Sequence, residues 1–349
     1  AGYGRFFGDQ LTGLAASTIA HNGREGVRIR LVPFPGSIAA WLAPGHRLPE
    51  PATPFASSTV SIGPGVGSPV SDQMTAGLSR VFGAATVVTA DLMWLRGSQM
   101  VGALNYNPLV PALGPGRRPD DVNGVPGTSA EVFQYTDFGE SWYKGLLLSL
   151  RHRAAGRLDV RASYTWSKAE DNSSEFLAHV ENSGVGRNPA DREGLPIGFN
   201  PDAEKGPAPN DRPHSGVISG SLTLPKGVYL STIATAQSGR PFTPLAGADA
   251  NGDGLPLADR ARRAPADPAT SVGRNSGRMR PEFTVDLRMA KRWSLARTAA
   301  VDLVVEVFNV FNRTNFSEVN DVFGTGVFPA DPQRDERGRV SYGRYSKAL

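Results

Sequence analysis

The sequence predicts an all-β chain: an antiparallel transmembrane β-barrel, partial, with about 8–10 strands of a larger barrel joined by long extracellular loops. Three observations predict it. Stretches of strict apolar/polar alternation recur along the chain, their polar faces carry charges in mid-strand, and very short links alternate with very long ones. Composition agrees. With Gly at 40 and Pro at 28 of 349 residues and no repeating period, the chain calls for many turns rather than long helices. A hydrophobic share of 40% is enough for packed structure.

The alternation has the period of two that gives a strand two different faces. Leu158, Val160, Ala162, Tyr164 and Trp166 share one face, and Asp159, Arg161, Ser163, Thr165 and Ser167 the other. Phe283, Val285, Leu287 and Met289 alternate with Glu282, Thr284, Asp286 and Arg288, and Val301, Leu303, Val305 and Val307 with Asp302, Val304 and Glu306. Leu146–Leu150, Ile218–Leu224 and Val88–Trp94 repeat the pattern less cleanly. A half-buried strand of a soluble sandwich alternates too. Two features favour a membrane wall: mid-strand charges where a soluble sheet more often places Thr, Ser or Lys, and aromatics (Trp142, Tyr164, Trp166) near strand ends, as in interfacial girdles.

Short links are expected at about Phe82–Ala85, Ala154–Arg157, Pro225–Gly227 and Ala296–Thr298. Long Gly/Pro/Asn/Asp-rich segments fall at roughly 9–71, 99–141, 171–211, 241–278 and 317–343. A compact soluble domain rarely has several such loops, whereas an outer-membrane barrel pairs tight periplasmic turns with long extracellular loops. Eight complete strands are expected from about residue 72 onward, the last over 299–316, with pieces at both ends. Residues 33–69 read as loop.

Several classes are excluded or disfavoured. Net charge is only +4 and the basic residues are scattered, so no nucleic-acid arm is present. Cys is 0, which removes disulfides, thiolate metal sites and cysteine nucleophiles. No apolar run reaches the roughly 18 residues of a transmembrane helix. The opening Ala1–Phe7 reads as the inside of a strand and not as a leader.

The segment Val305-Glu306-Val307-Phe308-Asn309-Val310-Phe311-Asn312-Arg313-Thr314-Asn315-Phe316 resembles the E-x-F-N-x-F-N-x-T-N-F stretch near the end of TonB-dependent outer-membrane receptors. The Oar-like group with an N-terminal carboxypeptidase-regulatory-like domain is the nearest in pattern. Tyr164-Thr165-Trp166-Ser167-Lys168-Ala169, Asp211-Arg212-Pro213-His214 and Gln237-Ser238-Gly239-Arg240-Pro241-Phe242 resemble three further motifs of that family, in the family's order, and Gly2–Phe7 extends the likeness weakly to the start. The resemblance implies energised uptake at the outer membrane of a Gram-negative-type bacterium. The TonB–ExbB–ExbD system would act through upstream parts. No plug domain, TonB box or aromatic-terminated last strand is recognisable, so residues 1–349 read as the C-terminal portion of the barrel.

Candidate lumen residues are Asp159, Arg161, Asp286, Arg288, Asp302 and Glu306, which either line a ligand path or contact a plug. The plainer reading is that they balance one another across neighbouring strands. Asp249-Ala250-Asn251-Gly252-Asp253-Gly254 matches the first half of a calcium loop, with Asp249, Asn251, Asp253 and Asp259 as ligands. Arg260 stands where such a loop has its bidentate Glu, and a solvated turn is the alternative. No cofactor is otherwise required. The five histidines form no metal pair and no hydrolase motif occurs, so no catalytic residue is assigned and the chain is not read as an enzyme. His214 is expected to mark the start of a strand at the membrane rim. Aromatics of the long segments (Tyr106, Phe133, Tyr135, Phe138, Phe176, Phe199) either stack on a ligand or anchor loops. The expected function is a receptor or transporter barrel, with outer-membrane lipid and a small-molecule, oligosaccharide or peptide ligand as partners. A non-transporting adhesin-like barrel is the alternative, and a secreted β-sandwich a weaker third.

Overall fold

A computed structural model describes residues 1–8, 59–154, 156–172, 195–196, 200–246, 260–263, 271–296, 298–319, 321 and 345–347. Among these residues, nine strands form one continuous antiparallel wall in chain order: β1 Gly2–Phe7, β2 Val70–Phe82, β3 Thr86–Asn105, β4 Val132–Ala154, β5 Leu158–Asp171, β6 His214–Leu224, β7 Val228–Gln237, β8 Glu282–Ala296 and β9 Ala299–Val307. The eight from β2 to β9 are those the alternation predicts. Over the described residues the wall does not close on itself.

Each pair from β2 to β9 that a short link joins turns at the expected place. Gly83 and Gly156 take positive φ (60° and 63°) in the first two turns, a conformation that glycine adopts without steric cost. In the third, the three-residue link Pro225–Gly227, Lys226 and Gly227 both have positive φ.

Register makes the alternation a property of the whole sheet. Leu78, Ala90, Leu148 and Tyr164 face one another in a row across β2–β5, and Leu230, Met289 and Val305 do so across β7–β9. One-residue slips would turn every such side chain to the other face, so these rows fix a single apolar face. Its side chains are well exposed, Leu78, Leu92, Ile218 and Leu303 among them. Among the described residues only its loop-side border is covered, where Lys205 lies over the Trp142 ring (3.9 Å) and Phe311 stacks on Phe283 (5.9 Å). An apolar face this large exposed on one side needs a non-aqueous neighbour.

The buried core lies beyond the wall, at the end with the long connections. Val60, Val101, Ala103, Phe133 and Tyr135 form it. Two expectations about this end are corrected. Residues 99–105 and 132–141 are strand, not loop: β3 passes through a bulge after Gly97, with Gln99 at φ 56°, and pairs again from Met100. A bulge shifts the alternation by one residue, which hides the continuation from a period-two reading. Thr59–Ile62, expected as loop, is a strand paired in parallel with Val132–Tyr135. Four residues inside a Pro/Gly-rich stretch give too little pattern to read.

The third correction concerns the last strand, which ends at Val307 and not near Phe316. Asn309 and Asn312 take positive φ (47° and 46°), where Asn is among the few tolerated side chains. The chain turns there, and Phe316–Val319 pairs with Tyr345–Lys347 in a separate two-stranded sheet.

Candidate functional site

All six sequence-predicted charged residues fall on the polar face of the wall. Register carries Arg161 to Ser219 on β6, to Ile233 on β7 and to Asp286 on β8. Arg288 then faces Glu306, and Arg292 faces Asp302. The structure pairs most of them with one another: Arg153 and Arg161 both donate to Asp159 (2.6 and 3.3 Å), Arg288 reaches Glu306 (3.2 Å) and Arg292 reaches Asp302 (3.7 Å). Asp286 instead accepts the backbone N–H of Asn309 (2.8 Å) and so fixes the turn that ends β9. Arg151, Arg153 and Arg292 belong to the same face, though the sequence reading does not single them out. Continuing the alternation past Leu150 and Met289 would have found them.

The outer end is built from arginine–carboxylate pairs. Arg274, 2% exposed, donates to the carboxylate and carbonyl of Asp171 and to the Glu204 carbonyl, while Arg260 pairs with Glu204. Asp211, 3% exposed, accepts Arg278 (2.6 Å) and the Ala169 amide (2.8 Å). Arg212 reaches Glu282 (3.0 Å) and the Ser238 carbonyl (3.0 Å). His214 shares a hydrogen bond with the Tyr164 hydroxyl (2.7 Å) and stacks on its ring. These contacts tie the tops of β5, β6, β7 and β8 together. The Asp211–His214 motif is a clasp between strand ends.

Two other motifs have similar roles. A Cβ at Gly239 would run into the Met279 carbonyl, so only glycine fits where Arg240 and Met279 pair backbones. In the Asn-rich segment, Asn309 accepts the Arg313 amide (3.0 Å) and donates to its carbonyl (2.9 Å). The Asn315 side chain accepts from the Phe283 N–H (3.0 Å) and donates to its carbonyl (3.1 Å). A side-chain amide there takes the place of a ladder residue on the open edge of β8.

The connection from β3 to β4 is held by its own polar network. Asn107, buried, donates to Ser129 and the Ala130 carbonyl (3.0 and 2.8 Å), and Arg118 reaches the Asn107 carbonyl (2.8 Å) and Glu131. The Asp121 carboxylate accepts the backbone N–H of Arg118 (2.8 Å) and both the N–H and hydroxyl of Ser129 (3.0 and 2.8 Å). The Arg118 bond foremost holds its carboxyl below the usual carboxylate range. Phe133 and Tyr135 are core anchors of this end, and the Tyr106 hydroxyl donates to Gln134 (2.9 Å). Phe176, Phe199 and the calcium-loop residues Asp249, Asn251, Asp253 and Asp259 lie outside the described residues. Among the described residues no group of three or more acidic or histidine side chains is placed to hold a metal ion.

Residues 1–277 match the family model of the outer membrane beta barrel domain. No curated protein matches the chain. Among solved structures it is similar to the outer membrane transporter YddB from Escherichia coli, at 11% identity and TM-score 0.49, over 84% of this chain and 33% of that one. The ferric-catecholate import receptor Fiu from E. coli K12 gives 12% identity and TM-score 0.40, over 80% and 26%. The siderophore receptor PiuA from Acinetobacter baumannii gives 11% and 0.37, over 80% and 27%. The chain spans between about a quarter and a third of the length of these structures.

Proposed function

The chain belongs to the outer membrane beta barrel domain family and so resides in the cell outer membrane, and from that premise we propose that it forms part of the wall of a receptor for TonB-dependent uptake. The observation that carries the proposal is the wall itself: one face apolar from the short turns up to a charged border near the loops, the other mosaic with ion pairs, and every long connection at one end. On this reading Asp159, Arg161, Asp286, Arg288, Asp302 and Glu306 face the lumen. Their ion pairs are largely solvent-exposed, and exposed pairs contribute only about 0.2–1 kcal/mol each. Such pairs exchange partners at small cost, which suits a lumen that must release and re-bind whatever fills it. The four motifs that resemble the TonB-dependent family support the transport reading, and the clasped loops at the outer end would hold the ligand-facing rim in place.

The test is genetic and applies whatever the ligand is. Spent medium of strains lacking this gene, TonB, or both is compared by mass spectrometry with that of the parent. The expected result is at least one compound left undepleted in each single deletion and no further change in the double. Loss of adhesion with unchanged depletion would refute uptake and favour the adhesin alternative.

A further inference from the structure

The apolar face is not uniform. Across β1–β5 one row reads Tyr3, Met74, Trp94, Lys144, Lys168, each facing the next across the ladder. Toward the short turns, the next row on this face reads Ala76, Leu92, Leu146, Trp166; toward the loops it reads Arg5, Asp72, Arg96, Trp142, Glu170. Polarity thus changes from apolar to charged over three rows, which marks the boundary between hydrocarbon and headgroups.

Two features of that boundary call for an anion. Lys144 and Lys168 face each other directly on the same side of the sheet, an arrangement that is unfavourable for like charges. The charged row above is largely neutralised, by Arg5–Asp72 (2.7 Å) within it and by Glu140, one row further out, on Arg96 (3.2 Å). Glu170 compensates Lys168 (2.8 Å). Lys144 has no ion-pair partner among the described residues. The same face holds an open hollow of about 980 Å³ that the two lysines line together with Tyr3, Leu92, Trp94, Leu146 and Trp166. That is the upper end of the size range of small-molecule sites, about 300–1,000 Å³.

We infer that this hollow is a site for a phosphate-bearing amphiphile of the outer leaflet. Its acyl chains lie against Leu92 and Leu146, and its phosphate sits between the ammonium groups of Lys144 and Lys168. The lysine stems reach along the apolar surface and leave their charged heads at the headgroup level. One bound phosphate relieves the repulsion between the lysines and seats the apolar hollow in lipid. The inference rests on the apolar face being the lipid-facing one.

The test uses the full-length protein extracted from outer membranes in mild detergent, with dimyristoyl phosphatidic acid and dimyristoylglycerol as probes in native mass spectrometry. The wild type is expected to retain the phosphate lipid at least tenfold over the uncharged one. K144Q/K168Q should lose that preference and K144R/K168R keep it. L92W, which narrows the hollow and leaves the lysines intact, should lower retention as well, and inorganic phosphate should not displace the lipid. If the double glutamine variant fails to insert, Lys144→Gln alone is expected to lower the preference severalfold. Retention in K144Q/K168Q or L92W equal to wild type would overturn the proposal, and so would displacement by inorganic phosphate. Quenching of tryptophan fluorescence by brominated lipid separates the two readings. Its absence sinks the wall reading, and its presence without phosphate preference sinks only the lipid site.

Discussion

Leu148→Arg, set against Ser149→Arg, tests the two-faced wall with neighbouring residues. Leu148 lies midway between Lys144 and His152, the polar residues that bracket the apolar run of β4, and it faces Ala90 and Tyr164 on the flanking strands. Four residues either way are about 14 Å of strand at ~3.4 Å per residue. With the ~40° tilt of barrel strands, that becomes about 10 Å of depth, close to the middle of an apolar band ~25 Å tall. Arginine there costs about 2–4 kcal/mol on the lipid face of a barrel, a factor of roughly 30 to 1,000 in the folded population. Ser149 points to the other face, between Thr89 and Ser163, where the same arginine is expected to change stability by less than about 0.5 kcal/mol. The assay is reversible denaturant unfolding of the full protein in phospholipid vesicles, followed by heat-modifiable migration on a gel. Should Leu148→Arg fail to insert at all, Leu150→Arg, two residues nearer the boundary, is expected to fall between the other two. Equal destabilisation by the two arginines, or a larger effect at Ser149, would refute the assignment of faces.

Arg274→Met removes a buried guanidinium from Asp171 and Glu204, and breaking such a buried pair costs about 3–5 kcal/mol. Hydrogen exchange of the Ala208 amide, bonded to Ala169 (3.0 Å), is expected to accelerate by on the order of 10²-fold or more; unchanged exchange would show that the clasp holds without it. Asn315→Leu keeps the size of the side chain but cannot mimic a ladder residue beside Phe283, so the Phe283 amide should lose protection while Ala234 on β7 keeps its own. The lowered Asp121 carboxyl stabilises its connection above the ordinary carboxylate range, and that contribution disappears as pH falls through the depressed value. Proteolysis within 106–131 should therefore quicken in acid in the wild type, and Asp121→Asn should cleave rapidly with little pH dependence. An acid response of wild-type size in that variant would assign the effect to another group.

Much of the wall is legible in the sequence because its signals are local. A period of two needs only neighbouring residues, and Gly83, Gly156 and Lys226–Gly227 mark turns that close within three or four positions. The polar-face charges are readable for the same reason, although Arg151 and Arg153 are masked by the adjoining Leu run, whose signal belongs to the other face. The losses come where long-range pairing or backbone irregularity decides. Thr59–Ile62 is a strand because of Val132–Tyr135, some seventy residues away, and nothing within its four residues announces that. Gln99 shifts the phase of β3 in mid-strand. Asn309 and Asn312 interrupt an alternation (Phe308, Val310) that reads on unbroken in the sequence. The clasp residues Arg274 and Arg278 give no signal either, since an arginine bound to a distant carboxylate looks like any other arginine in a Gly-rich segment.

The separation of the small core around Tyr135 from the exposed apolar wall gives the two regions different neighbours. Side chains packed on Tyr135, 0% exposed, meet a fixed partner, and an added or missing methylene is felt as strain or a void. Leu78, Ile218 and Leu303 meet a liquid, which flows to fit whatever shape it is offered. On the wall a residue need only be greasy; at the outer core it must also fit. Substitutions among Leu, Ile, Val, Met and Phe should accordingly be tolerated freely on the wall and sparingly around Val60, Val101 and Phe133. The part of this chain that faces the outside world is then the one that drifts under the tighter rules of shape.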